Sequence, residues 1–362
     1  MEASTNGNFK FLKILKSPNA EILEMLNNNT IGTEGHSMLY RHLGVNDKIE
    51  KIAEPYYVNL SRNERIIGTC CFCRRVTTYR GGRILSFYIR YFSFKEIYRT
   101  KSTKEKSASS KSLIKEEVLS VLAGKGLEVN PNEKFYHYAY VDPRNLRSIS
   151  LCKEFGFEHV REYTTIIFNR LNPKIKSEIS EITPAEQNEV KTLLMEFNSG
   201  LNMFSLDNVF HAGQYFVIRD HHNKIVAGVH ANPDRWKIYS LPGRSGKMIL
   251  NTFSHLPYLN RLFNKNYSFV TFEGIYHALG KEQALENLLE SLLARYQINS
   301  GIMVVDANSQ LCRTLKSLRL GLVNKLNKEV KGSVMCKFNN FTREEKKVFK
   351  EYPVYISGID VT

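Results

Sequence analysis

The chain has 362 residues, of which 42% are apolar and 24% charged, an ordinary balance for a globular protein and long enough to predict two domains. No apolar run approaches the roughly 20 residues of a membrane helix, and MEASTNGNFKFLKILK has no apolar signal core, so a cytoplasmic protein is expected. The formal net charge of +15 is spread along the chain, with 27 Lys/Arg against 18 Asp/Glu in residues 1–172 and 24 against 18 in residues 173–362. Such a surface attracts a polyanionic cofactor, nucleic acid or acidic proteins alike and chooses none of them.

In chain order, Phe9 to Leu15 predicts a strand, Ala20 to Leu26 a helix, and Met38 to Ile52 a second helical stretch. Tyr56 to Leu60, Ile66 to Val76 and Arg83 to Phe94 follow as strands joined by short polar turns, the pattern of an antiparallel meander. Lys95 to Lys115 then carries seven Lys/Arg and two Glu, with no glycine between Ile84 and Ala123. Leu113 to Leu122 predicts a helix, and a strand begins near Phe135. The six cysteines, at 70, 71, 73, 152, 312 and 336, form no paired CxxC motif, so zinc is not implied.

After the Asn-Pro break in Leu171 to Ser177, the order repeats. Ile179 to Ile182 predicts a strand, and Thr183-Pro184 opens a helix to about Phe197. Gln214 to Arg219, Ile225 to Ala231 and Trp236 to Ser240 predict three strands, with the His221-His222 turn between the first two needing no metal. Phe269 to His277 is a strong strand, and Leu285 to Tyr296 is helical by its leucine spacing. Ile302 to Val305, Leu311 to Leu320 and Val330 to Phe338 complete a strand, helix, strand run. Thr342 to Thr362 adds elements to either half.

The most informative stretch is His137 to Phe168. Tyr138 to Val141 reads as a strand, Asp142-Pro143-Arg144-Asn145 as a turn, Leu146 to Phe155 as a short helix stopped by Gly156, and Val160 to Phe168 as a returning strand. Asn145, Ser148, Leu151 and Gly156-Phe157 stand in the order seen in the last third of the Gcn5-related N-acetyltransferases, and the chain resembles that GNAT superfamily. Cys152 stands where the family often has Tyr. The resemblance implies an α/β (α+β) fold of two GNAT-like domains, 1–172 and 173–362, each a mixed, mostly antiparallel, splayed sheet flanked by helices.

The resemblance also implies acetyl-CoA or another acyl-CoA as cofactor and a small-molecule or peptide amine as acceptor. Ile89, Arg90 and Tyr91 would supply backbone polarisation on the splayed strand. Arg99, Ser102 and Lys104 stand in the place of the pyrophosphate loop, without its glycines. Either this Ser/Lys-rich segment binds phosphate through side chains, or it is a mobile basic loop where the site has decayed. In the second half His277, Gly280 and Lys281, with Glu282 next, occupy the loop position, and Asn308 stands as Asn145 does. Acyl transfer needs a base and a proton donor; Glu96 and Glu273 are the candidate bases, and Cys152 the candidate donor. Two alternatives share the architecture: a decayed pair serving as a binding or scaffold module, and an aminoacyl transferase that takes its donor from tRNA.

Overall fold

The computed structural model describes residues 9–95, 108–210, 214–243, 246–252, 256, 259–326 and 330–362. Among them thirteen strands join in one sheet. They are β1 (Leu12–Leu15), β2 (Leu39–His42), β3 (Pro55–Arg62), β4 (Arg65–Tyr79), β5 (Gly82–Phe94), β6 (Phe135–Val141), β7 (Glu158–Asn169), β8 (Ser180–Glu181), β9 (Gln214–Arg219), β10 (Ile225–Ser240), β11 (Asn266–His277), β12 (Ser300–Asp306) and β13 (Val330–Asn339). Their spatial order is β1-β3-β4-β5-β6-β13-β7-β12-β11-β10-β9-β8, with β2 beside the far part of β10.

The predicted meander is present as β3, β4 and β5, antiparallel throughout. The helix Leu146–Glu154 begins as its sequence implies. Asn145 Oδ1 accepts the Ser148 N–H at 3.0 Å, and Gly156 adopts φ +81 just past the helix.

The closing strands are exchanged. β7 leaves the first half to pair with β12, and β13 returns from the second half to lie between β6 and β7. At Gly332 on β13 a Cβ would stand 2.0 Å from the Tyr163 ring of β7, so any side chain there would have to push that ring aside. A cut at residue 172 would therefore strip β13 of both its neighbours.

Two expectations are corrected. Met38 to Ile52 is not one helix: Leu39–His42 is the strand β2, and only Val45–Glu50 is helical, after Gly44 at φ +130. The free edge of β10, in the other half of the chain, captures β2. Trp236 to Ser240 is also not a separate strand but the end of a sixteen-residue β10 that runs through Pro233. Proline is tolerated there because β9 pairs only as far as Ala231 and β2 only from Trp236 onward, so no partner awaits its missing N–H.

Apolar residues bury on both faces of the sheet. One cluster joins β3–β6 to the helix Ala108–Leu122 through Phe72, Phe87, Val121, Leu122 and Phe135. Another joins the two halves through Tyr57, Tyr138, Tyr163, Trp236, Phe269 and Phe349. No helix among the described residues is long and apolar enough to cross a membrane.

Candidate functional site

β5 and β6 run parallel and pair over four positions only, from Leu85↔Phe135 to Tyr88↔Tyr138. Beyond Tyr88 the strands part, and the backbone groups of β5 that face β6 lose their ladder partner. Ile89 and Ala139 would form the next pair and instead flank the opening. β5 also carries a bulge at this point. Cys71 pairs with Arg90 and Thr69 with Ser93, so Tyr91 and Phe92 together oppose Cys70, and Tyr91 takes φ +58. The extra residue bends β5 away from β6 and re-aims its side chains.

A cavity of about 2120 Å³ opens at this wedge, roughly twice the upper end of ordinary small-ligand pockets. Its floor toward the helix Ala108–Leu122 is apolar, with Val58, Phe72, Val118, Val121 and Phe157 among its lining residues. Asn145, Ser148 and Cys152 line it near the helix Leu146–Glu154. Tyr40, His42, Trp236 and Tyr267 line it on the side reached from the second half.

The second half has a comparable wedge. β11 and β12 are parallel and pair only at Val270↔Gly301 and Thr271↔Ile302 before they separate. Here the chain's own segment 354–362 fills the gap. Val354 N–H donates to Asp306 Oδ2 at 3.1 Å, and the Tyr355 hydroxyl accepts the Gly274 N–H at 3.3 Å. Thr362 Oγ1 meets Thr271 Oγ1 at 3.0 Å. Gly358–Val361 forms a helical turn there, and Asp360, Val361 and Thr362 reach the large cavity.

Glu273, a candidate base, is bound up in holding this tail. Its carboxyl accepts from the Tyr355 hydroxyl at 3.2 Å, the Ser357 hydroxyl at 3.0 Å and the Ile359 N–H at 3.0 Å. Burial, with Asp360 nearby, pushes it up to about 7. The two hydroxyls can reverse direction, so both protonation states are accommodated. The folded state thus holds a proton that the unfolded chain releases at lower pH. Its stabilising effect is complete below the unfolded value and is lost as pH rises through about 7. We expect the stability advantage of wild type over Glu273→Gln to shrink by about 2–3 kcal/mol between pH 5 and 8, read from urea midpoints at each pH. A constant difference would show that the carboxyl does not titrate in that window.

Where the two wedges meet, charges are buried together. Asp360 accepts from both terminal nitrogens of Arg75, with Nη2 to Oδ1 at 2.8 Å, and from Asn208 Nδ2 at 3.0 Å. Arg75 also donates to the Tyr138 hydroxyl at 3.1 Å, and the Tyr88 hydroxyl donates to the Asp360 carbonyl at 2.8 Å. The Arg75 guanidinium holds the Asp360 carboxyl below its ordinary value despite burial. None of this network is visible in sequence spacing, since Arg75 and Asp360 are 285 residues apart.

The other candidate residues separate. Glu96, Arg99, Ser102 and Lys104 lie outside the described residues. Ile89, Arg90 and Tyr91 lie at the wedge and line the cavity with Asn145, Ser148 and Cys152. Burial pushes the Cys152 thiol up, keeping it protonated. His277, Gly280 and Lys281 are elsewhere, at an exposed strand–turn–helix joint before Glu282–Tyr296, with His277 Nδ1 placed 3.1 Å from the Ala278 carbonyl. Asn308 does not repeat the role of Asn145: the helix Gln310–Ser317 is capped by Ser309, whose side chain accepts from Cys312 N–H. A hydroxyl caps as well as an amide, so the pattern slips by one residue. Sequence reading missed His42, Arg75 and Asp360, which carry no local motif.

No protein-family model matches the chain, and no curated protein matches it in sequence. Solved structures do. Saccharomyces cerevisiae N-myristoyltransferase with bound myristoyl-CoA is similar over 94% of this chain and 86% of that one, with a TM-score of 0.57 at 8% identity. A second structure of that enzyme with bound myristoyl-CoA covers 92% and 80%, with a TM-score of 0.58 at 8% identity. A GCN5-related N-acetyltransferase from Anabaena variabilis covers 90% and 72%, with a TM-score of 0.47 at 10% identity. At such identities the likeness is one of fold: a mixed α/β architecture around a large, mostly antiparallel sheet flanked by helices.

Proposed function

We propose that this chain is an N-acyltransferase that takes an acyl-CoA with a long acyl chain into the wedge between β5 and β6. The observation that carries the reading is the open wedge with its bulge at Tyr91, continuous with an apolar cavity. A thioester lying there meets the unpaired backbone of Ile89 to Tyr91, where an N–H can polarise its carbonyl. The chemistry is a single exchange. The neutral amine nitrogen attacks the thioester carbon, the C–N bond forms, the C–S bond breaks, coenzyme A leaves as the thiol with the proton of Cys152, and the proton that the nitrogen loses returns the Cys152 thiolate to the thiol. Cys152, half-buried and protonated, donates the proton to the departing sulfur.

The same reading divides the chain into two GNAT-like units, 1–172 and 173–362, that exchange their closing strands. Only the first binds cofactor, because the tail takes the wedge of the second. The acceptor amine then approaches from the face of Tyr40, His42 and Trp236, opposite the acyl floor.

Acetyl would leave most of this apolar lining unfilled. Each buried methylene is worth at most about 0.8 kcal/mol, so affinity should climb steeply with chain length. Titration calorimetry with acetyl-, octanoyl- and dodecanoyl-CoA is expected to show at least a hundredfold gain across the series. A flat series would reject the long chain, and no binding of any of them at millimolar concentration would reject the transferase. Cys152→Ala is expected to leave binding unchanged and to slow single-turnover thiol release about a hundredfold. Unchanged release would return Cys152 to a packing role.

A further inference from the structure

Arg90 is a buried cation whose charge is only partly met. Its side chain is 9% exposed, and its nearest carboxylate oxygen, Asp360 Oδ1, lies 3.6 Å from Nη1, a charge contact without a hydrogen bond. Both oxygens of Asp360 are already engaged by Arg75, and Asn208 adds a third donor. Among the described residues Arg90 Nε has no partner at all. A buried guanidinium left in this state is costly unless a further acceptor completes it.

A second donor lines the same cavity. The Trp236 indole N–H donates to His42 Nδ1 at 3.1 Å, so a neutral His42 carries its proton on Nε2. Burial, with Lys48 and Arg90 beside it, keeps His42 neutral. Its Nε2–H therefore acts as a donor and not as a base. His42 and Arg90 line the same cavity, and Arg90 is near enough to disfavour protonation of both His42 and Lys48.

The orientation separates this pair from the acyl group. Along β5 side chains alternate, so Arg90 shares a face with Tyr88 while Ile89 points to the opposite face, toward the cluster of Phe72 and Val121. The acyl floor belongs to the Ile89 face. The Arg90 face is the one reached from Tyr40, His42 and Trp236. Charge on this side also runs to excess. Arg75, Arg90 and Lys48 face Asp360, Asp234 and the proton-holding Glu273, with Lys48 paired to Asp234, Arg75 to Asp360, and Arg90 left with the Tyr91 ring 4.2 Å away and no carboxylate of its own. One planar, forked cation is left over, and its natural complement is one planar anion with two oxygens.

We propose that Arg90, with His42 beside it, is a receptor for a carboxylate on the acceptor, so that the amine acylated here belongs to an amino acid or a similar amino carboxylate. The proposal rests on the transferase reading for the identity of the reaction but not for the existence of the receptor. The carboxylate pairs with the Arg90 fork and takes the His42 Nε2–H, which leaves the amine to turn toward the thioester in the wedge. The product would be an N-acyl amino acid.

The product itself is the probe. N-dodecanoylglycine and N-dodecanoylglycinamide share the acyl chain and the amide and differ in the carboxylate. Titration calorimetry on the full chain is expected to show the acid binding at least fiftyfold tighter than the amide. Arg90→Gln should abolish that preference. Arg90→Lys should keep part of it, and His42→Phe should reduce it several-fold. The two milder variants keep the test open if Arg90→Gln fails to fold. Equal binding of acid and amide, no binding of either, or a preference that survives in Arg90→Gln would each overturn the receptor. A preference that depends on Arg90 in a chain that binds no acyl-CoA would sustain the receptor and remove the transferase.

Discussion

Replacing Asp360 with Ala is expected to cost about 3–5 kcal/mol of stability, the ordinary effect of removing one partner from a buried ion pair. The Asp360 side chain is fully buried, and it is the counter-ion of Arg75 as well as the nearest carboxylate to Arg90. Without it two guanidinium groups stay buried, neither with an anion. Asp360→Asn should fall in between, because an amide keeps the shape and accepts through one oxygen but cannot neutralise. The measurement is the shift in guanidinium chloride midpoint at constant slope. The effect reaches beyond the tail, because Arg75 ties β4 of the first half to a segment seated in the second. A loss below about 1 kcal/mol, the range of exposed pairs, would mean that water reaches this cluster and that the charges are not buried as described.

Ala139→Trp is expected to abolish acyl-CoA binding, by at least a hundredfold, with little loss of stability. Ala139 lies on β6 at the first position where β5 no longer pairs, it lines the cavity, and its backbone is held from the other side by Met335 of β13. An indole there fills the opening between the strands without breaking the ladder to β13. The binding loss is read by calorimetry with dodecanoyl-CoA and the fold by thermal unfolding. Undiminished binding in a folded variant would place the cofactor elsewhere and remove the basis of the proposed reaction.

Much of the local structure was legible in the residues. The β3–β5 meander, the helix Leu146–Glu154 with its Asn145 cap, and the Gly156 stop follow from alternation, turn residues and capping chemistry, which act within a few residues. The element order of the second half was also readable, because β11 and the leucines of the helix Glu282–Tyr296 keep clear periods. Of the candidate residues, Ile89, Arg90, Tyr91, Asn145, Ser148 and Cys152 come together around the large cavity. In the second half Asn308 does not cap its helix as Asn145 does. A turn before a helix looks alike in sequence whether a ligand uses it or water does, and Ser309 caps as readily as its neighbour.

By itself the sequence determined most of the secondary elements and their order, since these depend on neighbours along the chain. It could not determine that β13 enters between β6 and β7, that β2 crosses to β10, or that Ser357–Thr362 seals the second wedge and leaves the first open. Those outcomes are settled by which free strand edge and which buried charge find a partner first in space. Arg75 and Asp360 meet only because the whole sheet brings them together, so what distinguishes the two halves was decided by tertiary structure.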